Sequence, residues 1–163
     1  MRNWTRGGTA LAAVLLLSAN AGAGEGPSEH RHGHGQSFSA GEPGNPKKPA
    51  KIVQVTMGES DGKMLFAPAR IEVRKGDQIK FVLRNNGELE HEFVLASAAD
   101  NLKHAEEMKK HPDMAHEEPN GKQLAPKKTG EIIWKFTKAG EFEYACLIPG
   151  HREAGMTGTI VVK

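Results

Sequence analysis

Gly140-Glu141-Phe142-Glu143-Tyr144-Ala145-Cys146-Leu147-Ile148-Pro149-Gly150-His151-Arg152-Glu153-Ala154-Gly155-Met156 sets a thiol, an imidazole and a thioether in order, spaced Cys-x4-His-x4-Met. The residues before the thiol alternate, Phe142 and Tyr144 against Glu141 and Glu143. That is the period of a half-buried strand, and it turns Cys146 toward the apolar face. A trigonal copper site takes one Cys and two His, with a Met as a weak axial ligand. His151 is one imidazole, so the second has to come from elsewhere. Upstream, Asn85-Asn86-Gly87 is a strong turn signal. After it His91, Phe93 and Leu95 share one strand face opposite Glu92 and Val94. Inward ligands at the ends of two core strands can meet under the end loops of a sandwich, so geometry permits His91 without requiring it.

Two other chemistries use similar residues. Zinc accepts Cys and His, but a thioether in the fourth position favours copper. A thiolate beside an imidazole can also be a nucleophile, although no oxyanion arrangement is legible around Cys146.

Working outward, Lys51–Met57, Ala69–Arg74, Gln78–Arg84, His91–Ala96, Gly130–Thr137, Glu141–Cys146 and Thr157–Lys163 read as strands separated by Gly, Asn and Asp. Seven or so short strands in about 110 residues predict an all-β, antiparallel sandwich or barrel. One segment breaks the pattern. Residues 98–114 are rich in Ala, Lys, Glu and Leu, with Pro112 near the end, and predict an inserted helix.

The Cys-x4-His-x4-Met loop after Gly-Glu-Phe-Glu-Tyr, with the upstream Asn-Asn-Gly-x3-His-Glu-Phe, resembles the cupredoxin (type 1 copper) family over roughly 51–163. Within it the chain is most similar to the periplasmic copper-tolerance cupredoxins of the CopI type, which also carry a His-bearing tail and extra His and Met. The resemblance implies a Greek-key β-sandwich and copper ligands His91, Cys146, His151 and axial Met156. Many cupredoxins have Asn after the first His, where it helps tie the ligand loops together. This chain has Glu92.

Further soft ligands lie outside that set. His104, Met108, His111, Met114 and His116 sit in or just after the helical insert, and Met with His suits Cu(I). Met57 and Met64 are further thioethers, although a strand Met usually packs a core. His30, His32 and His34 alternate in a Gly-, Pro- and Ser-rich stretch able to hold a metal weakly. From Gly22 to Ala50 the only large apolar residue is Phe38, which predicts a flexible tail.

Before that tail, Arg2 and Arg6, the apolar run Leu11–Leu17 and Ala19-Asn20-Ala21 have the three parts of a cleavable secretory signal over 1–21. The apolar run is too short for a lasting membrane anchor. Export to the periplasm follows, and it makes a lone thiol conspicuous: the chain has 1 Cys, so no internal disulfide. The balance of 22 basic against 20 acidic side chains argues against nucleic acid as a partner. The functional expectation is a non-enzymatic periplasmic copper protein acting in copper tolerance. Its partners would be copper ions and a redox or copper-transfer protein. The competing expectation is an electron carrier between redox partners, and a third is oxidation of Cu(I) at the insert by the type 1 centre. A simple carrier has no obvious use for the surplus His and Met.

Overall fold

The computed structural model describes residues 37–110 and 118–163. Ten strands and one helix follow in chain order: β1 (Glu42–Pro43), β2 (Lys51–Ser60), β3 (Lys63–Ala67), β4 (Arg70–Val73), β5 (Gln78–Asn85), β6 (His91–Ala96), α1 (Ala98–Lys110), β7 (Gly121–Leu124), β8 (Thr129–Lys135), β9 (Gly140–Ala145) and β10 (Thr157–Val162). They form two five-stranded sheets, ordered β1-β8-β5-β2-β3 and β4-β10-β9-β6-β7. The expected β-sandwich is what the chain adopts.

The pleat explains the layers. On β5 the alternation leaves Ile79, Phe81 and Leu83 buried, and on β10 Ile160 and Val162. These side chains join those of the other sheet in one core cluster. Rings bridge the layers: Phe81 of the first sheet lies 5.3 Å from Phe93 of the second, and Phe66 lies 5.1 Å from Tyr144. The first pair is tilted and the second edge-to-face, and aromatic pairs of this kind add to plain area burial.

Three expectations need correction. The sheets are mixed, not antiparallel throughout, since β2 pairs parallel with β5 and β10 parallel with β4. Such pairings join residues far apart in sequence, so no local pattern announces them. Strands β3 and β7 lie outside the strands that the sequence predicts, and both lack a clear apolar alternation.

The third concerns the segment read as a flexible tail over 22–50. Residues 37–50 are part of the fold. Phe38 packs edge-on against Trp134 with ring centroids 5.2 Å apart, Ala40 is fully buried, and its carbonyl accepts the Trp134 indole N–H at 3.3 Å. Strand β1 pairs antiparallel with β8, and the Gln78 side chain bonds the backbone of Asn45, Lys48 and Pro49. Average composition hid this because one aromatic anchor and backbone pairing to a sheet edge suffice. Residues 1–36, which include the predicted signal and His30, His32 and His34, lie outside the described residues.

Helix α1 begins where predicted. The Ser97 hydroxyl accepts the Asp100 N–H at 3.1 Å and donates to the Asp100 carboxylate at 2.7 Å, a capped start. Asn101, Ala105 and Met108 form its buried stripe, spaced four and three apart, against β6 and β9. Among the described residues no helix is long and apolar enough to cross a membrane.

Candidate metal centre

Three residues of the inferred set, His91, Cys146 and His151, converge in the structure, and Met156 lies on the same loop as the last two. His91 opens β6 and Cys146 directly follows β9. His151 lies in the turn beyond, and Met156 sits one residue before β10. The β9–β10 connection is pinned across its base. Thr157 registers with Ala145, the Cys146 N–H donates to the Met156 carbonyl at 3.1 Å, and the Met156 N–H donates to the His151 carbonyl at 3.1 Å. Three potential ligands are therefore carried on one closed loop.

His91 Nδ1 and Cys146 Sγ each lie 3.3 Å from His151 Nδ1, and one donor atom from each of the three residues falls within 4.8 Å of the others. Metal bonds of about 2.0 Å to nitrogen and about 2.3 Å to sulfur, meeting at a trigonal angle, set donor atoms roughly 3.7 Å apart. The two 3.3 Å spacings are a few tenths of an ångström short of that value and no pair exceeds 4.8 Å, so small side-chain adjustments let the donor set fit one ion. Among the described residues it is the one such cluster of three His, Cys or acidic groups. Met156 is fully buried beside it in sequence and core.

Electrostatics favours a metal over a free thiolate. Burial pushes the Cys146 thiol up to about 12, opposed by backbone hydrogen bonds from Glu92 and Ile148. A neutral, fully buried thiol is the opposite of an activated nucleophile, whereas a bound cation would deprotonate it outright. Burial also lowers the His151 pKa, assisted by His91, which keeps that imidazole neutral and available as a ligand.

Glu92 does tie the two ligand segments. Its N–H donates to Cys146 Sγ at 3.4 Å, and its carboxylate accepts the Leu147 N–H at 2.7 Å. Burial raises its carboxyl to about 7 against the pull of that amide.

One contributor was not found from sequence. Glu59, near the end of β2, accepts from His91 Nε2 at 2.6 Å. Partial burial opposes its ionisation, but bonds from Glu88, His91 and Leu89 outweigh this and hold its carboxyl below the usual range. It lies 32 residues before His91, and no local motif marks it.

The second predicted cluster is placed only in part. Met108 is buried in the inward stripe of α1, and His104 is half-buried in a cleft shared with Asp100, Asn101, Glu118 and Asn120. His111, Met114 and His116 lie outside the described residues. Met57 is core and Met64 packs against it.

Comparison with known proteins agrees with this geometry. The family described as copper binding proteins, plastocyanin/azurin family, matches residues 53–163. The copper-resistant cuproprotein CopI of Rubrivivax gelatinosus is 50% identical over 123 residues, spanning 76% of this chain and 73% of that protein. CopI of Pseudomonas aeruginosa is 34% identical over 152 residues, spanning 76% and 82% respectively. Among solved structures auracyanin B is similar in fold, with a TM-score of 0.61 at 21% identity over 76% of this chain and 96% of that one.

Proposed function

This chain belongs to the plastocyanin/azurin family of copper-binding proteins, and from that premise we propose that it is an exported copper-resistance protein with a type 1 centre. His91, Cys146 and His151 would be the trigonal ligands and Met156 the axial one. The convergence of those three donor atoms within 4.8 Å carries the reading. Its CopI relatives are named as copper-resistant, and the reading of 1–21 as a cleavable signal supports a periplasmic location.

When bound, copper supplies a one-electron Cu(I)/Cu(II) couple. The chain's own residues do the rest. Burial of His91, Cys146 and Met156 excludes water, and the closed β9–β10 loop holds three ligands in place. The protein acts as a binder and not as an enzyme, a reading supported by the burial that denies Cys146 to any substrate.

A visible spectrum during Cu(II) titration, run beside Cys146→Ser, tests the centre. An intense thiolate-to-copper band lost in the variant is expected. A wild-type protein without that band overturns the proposal.

Electron transfer between periplasmic partners is the second reading. It is favoured by His151, the one His or Cys of the cluster that reaches partly to the surface. Loss of copper tolerance on deleting the gene supports the first role. Unchanged tolerance with a lost electron-transfer activity supports the second.

A further inference from the structure

We propose that Glu59 is a positioning residue of the centre: its carboxylate fixes the tautomer of His91 and makes that imidazole a stronger donor to Cu(II) than to Cu(I). The inference rests on the copper reading above.

Glu59 lies beyond the last register pair that β2 makes with β5, Met57 with Asn85. There the chain of residues 86–90 curls over its side chain. The N–H of Glu88 donates to Glu59 Oε2 at 2.9 Å and that of Leu89 to Oε1 at 3.2 Å. A Cβ added at Gly87 would lie 2.5 Å from Oε2, so glycine is what lets the backbone come this close. Buried Asn85 holds the same turn from the other side. Its Oδ1 accepts the Gly87 N–H at 2.9 Å, and its Nδ2 donates to the carbonyls of Leu89 at 2.8 Å and Leu124 at 2.9 Å. The carboxylate is thus clamped before it touches His91.

An ionised carboxylate can only accept hydrogen bonds. The proton on His91 must therefore sit on Nε2, 2.6 Å from Glu59 Oε1, leaving the lone pair on Nδ1. Nδ1 is the atom that lies 3.3 Å from His151 Nδ1, inside the ligand cluster. One residue of the first sheet thereby orients a ligand of the second. An anion hydrogen-bonded behind a ligating imidazole adds electron density at the donor atom, which favours the more highly charged metal ion. His91 itself is fully buried while the Glu59 side chain is 26% exposed, so water screens the pair from the carboxylate side only.

Glu59→Gln keeps the shape and an acceptor but removes the charge, and Glu59→Leu removes both. The readouts are Cu(II), Cu(I) and Zn(II) affinities by competition, the reduction potential, and 15N shifts of the histidine rings in the apoprotein. In Glu59→Gln, Cu(II) affinity should fall about tenfold more than Cu(I) affinity, a rise in potential of about 59 mV for a one-electron couple. Zn(II) affinity should fall by a similar factor. In apo Glu59→Leu, His91 should lose its clean Nε2–H signature. An unchanged Cu(II)/Cu(I) affinity ratio in Glu59→Gln overturns the inference, as does an unaltered His91 tautomer in Glu59→Leu. These failures are distinct from that of the copper reading, which falls only if the wild type shows no thiolate-to-copper band.

Discussion

A carboxylate inside a protein persists only where its charge or its proton is given a partner, and Glu92 has the amide of Leu147. Both residues are buried, so the bond cannot be replaced easily by water. Glu92→Gln preserves the acceptor and should cost less than about 1 kcal/mol of apoprotein stability. Glu92→Leu leaves a buried N–H unpaired beside the thiol and should cost about 1–3 kcal/mol. Urea denaturation of both variants measures the difference, and equal stabilities would remove the bond as a tie. The sequence marks Glu92 only as a departure from the family pattern. It is silent on which amide that carboxylate finds. The ligands were legible for a different reason: Cys146, His151 and Met156 sit on one loop at fixed spacing, and alternation turns His91 inward. Glu59 had no such local mark.

At the scale of elements, strands with strict alternation, such as β5 and β10, could be read directly, and so could α1 through its Ser97 start. Strands β3 and β7 could not. Lys63-Met64-Leu65-Phe66-Ala67 and Gly121-Lys122-Gln123-Leu124 are strands because of what they pair with, β2 and β6 respectively. The same dependence on neighbours explains one glycine. Gly158 registers opposite Tyr144 across β10 and β9, and the phenol ring lies where a side chain would project. The Tyr144 hydroxyl donates to the Pro68 carbonyl, so the ring is held by that bond as well as by its neighbours. Gly158→Ala should therefore destabilise by about 1–3 kcal/mol through overpacking. Its location one residue from Thr157, where the ligand loop closes, makes thermal unfolding of the apoprotein the clean assay. A variant as stable as the wild type would mean the ring can move aside.

Across the described residues 37–110 and 118–163 the hydrophobic core runs through both sheets, and of the four proposed ligands Cys146 and Met156 belong to it. Most of the buried apolar surface is thus independent of any metal. Removing copper should leave the β-sheet circular dichroism intact. It should lower stability only by the binding increment, about 2.7 kcal/mol when free copper stands at a hundred times its Kd. Cys146→Ser should abolish that increment. Collapse of the apoprotein to an unfolded chain would show instead that the metal is a structural staple.

The order of the ligands along the chain has a consequence for the moment of metal capture. His91 is synthesised before its three companions, which follow only after β1–β9, and the base of the loop that holds them closes when β10 pairs with β9. A growing chain presents imidazoles and no thiol for nearly all of its synthesis. Nothing resembling the finished coordination sphere exists until the last hairpin zips. Copper should therefore enter a completed scaffold, with loading a separate event whose rate is set by supply of the ion rather than by folding.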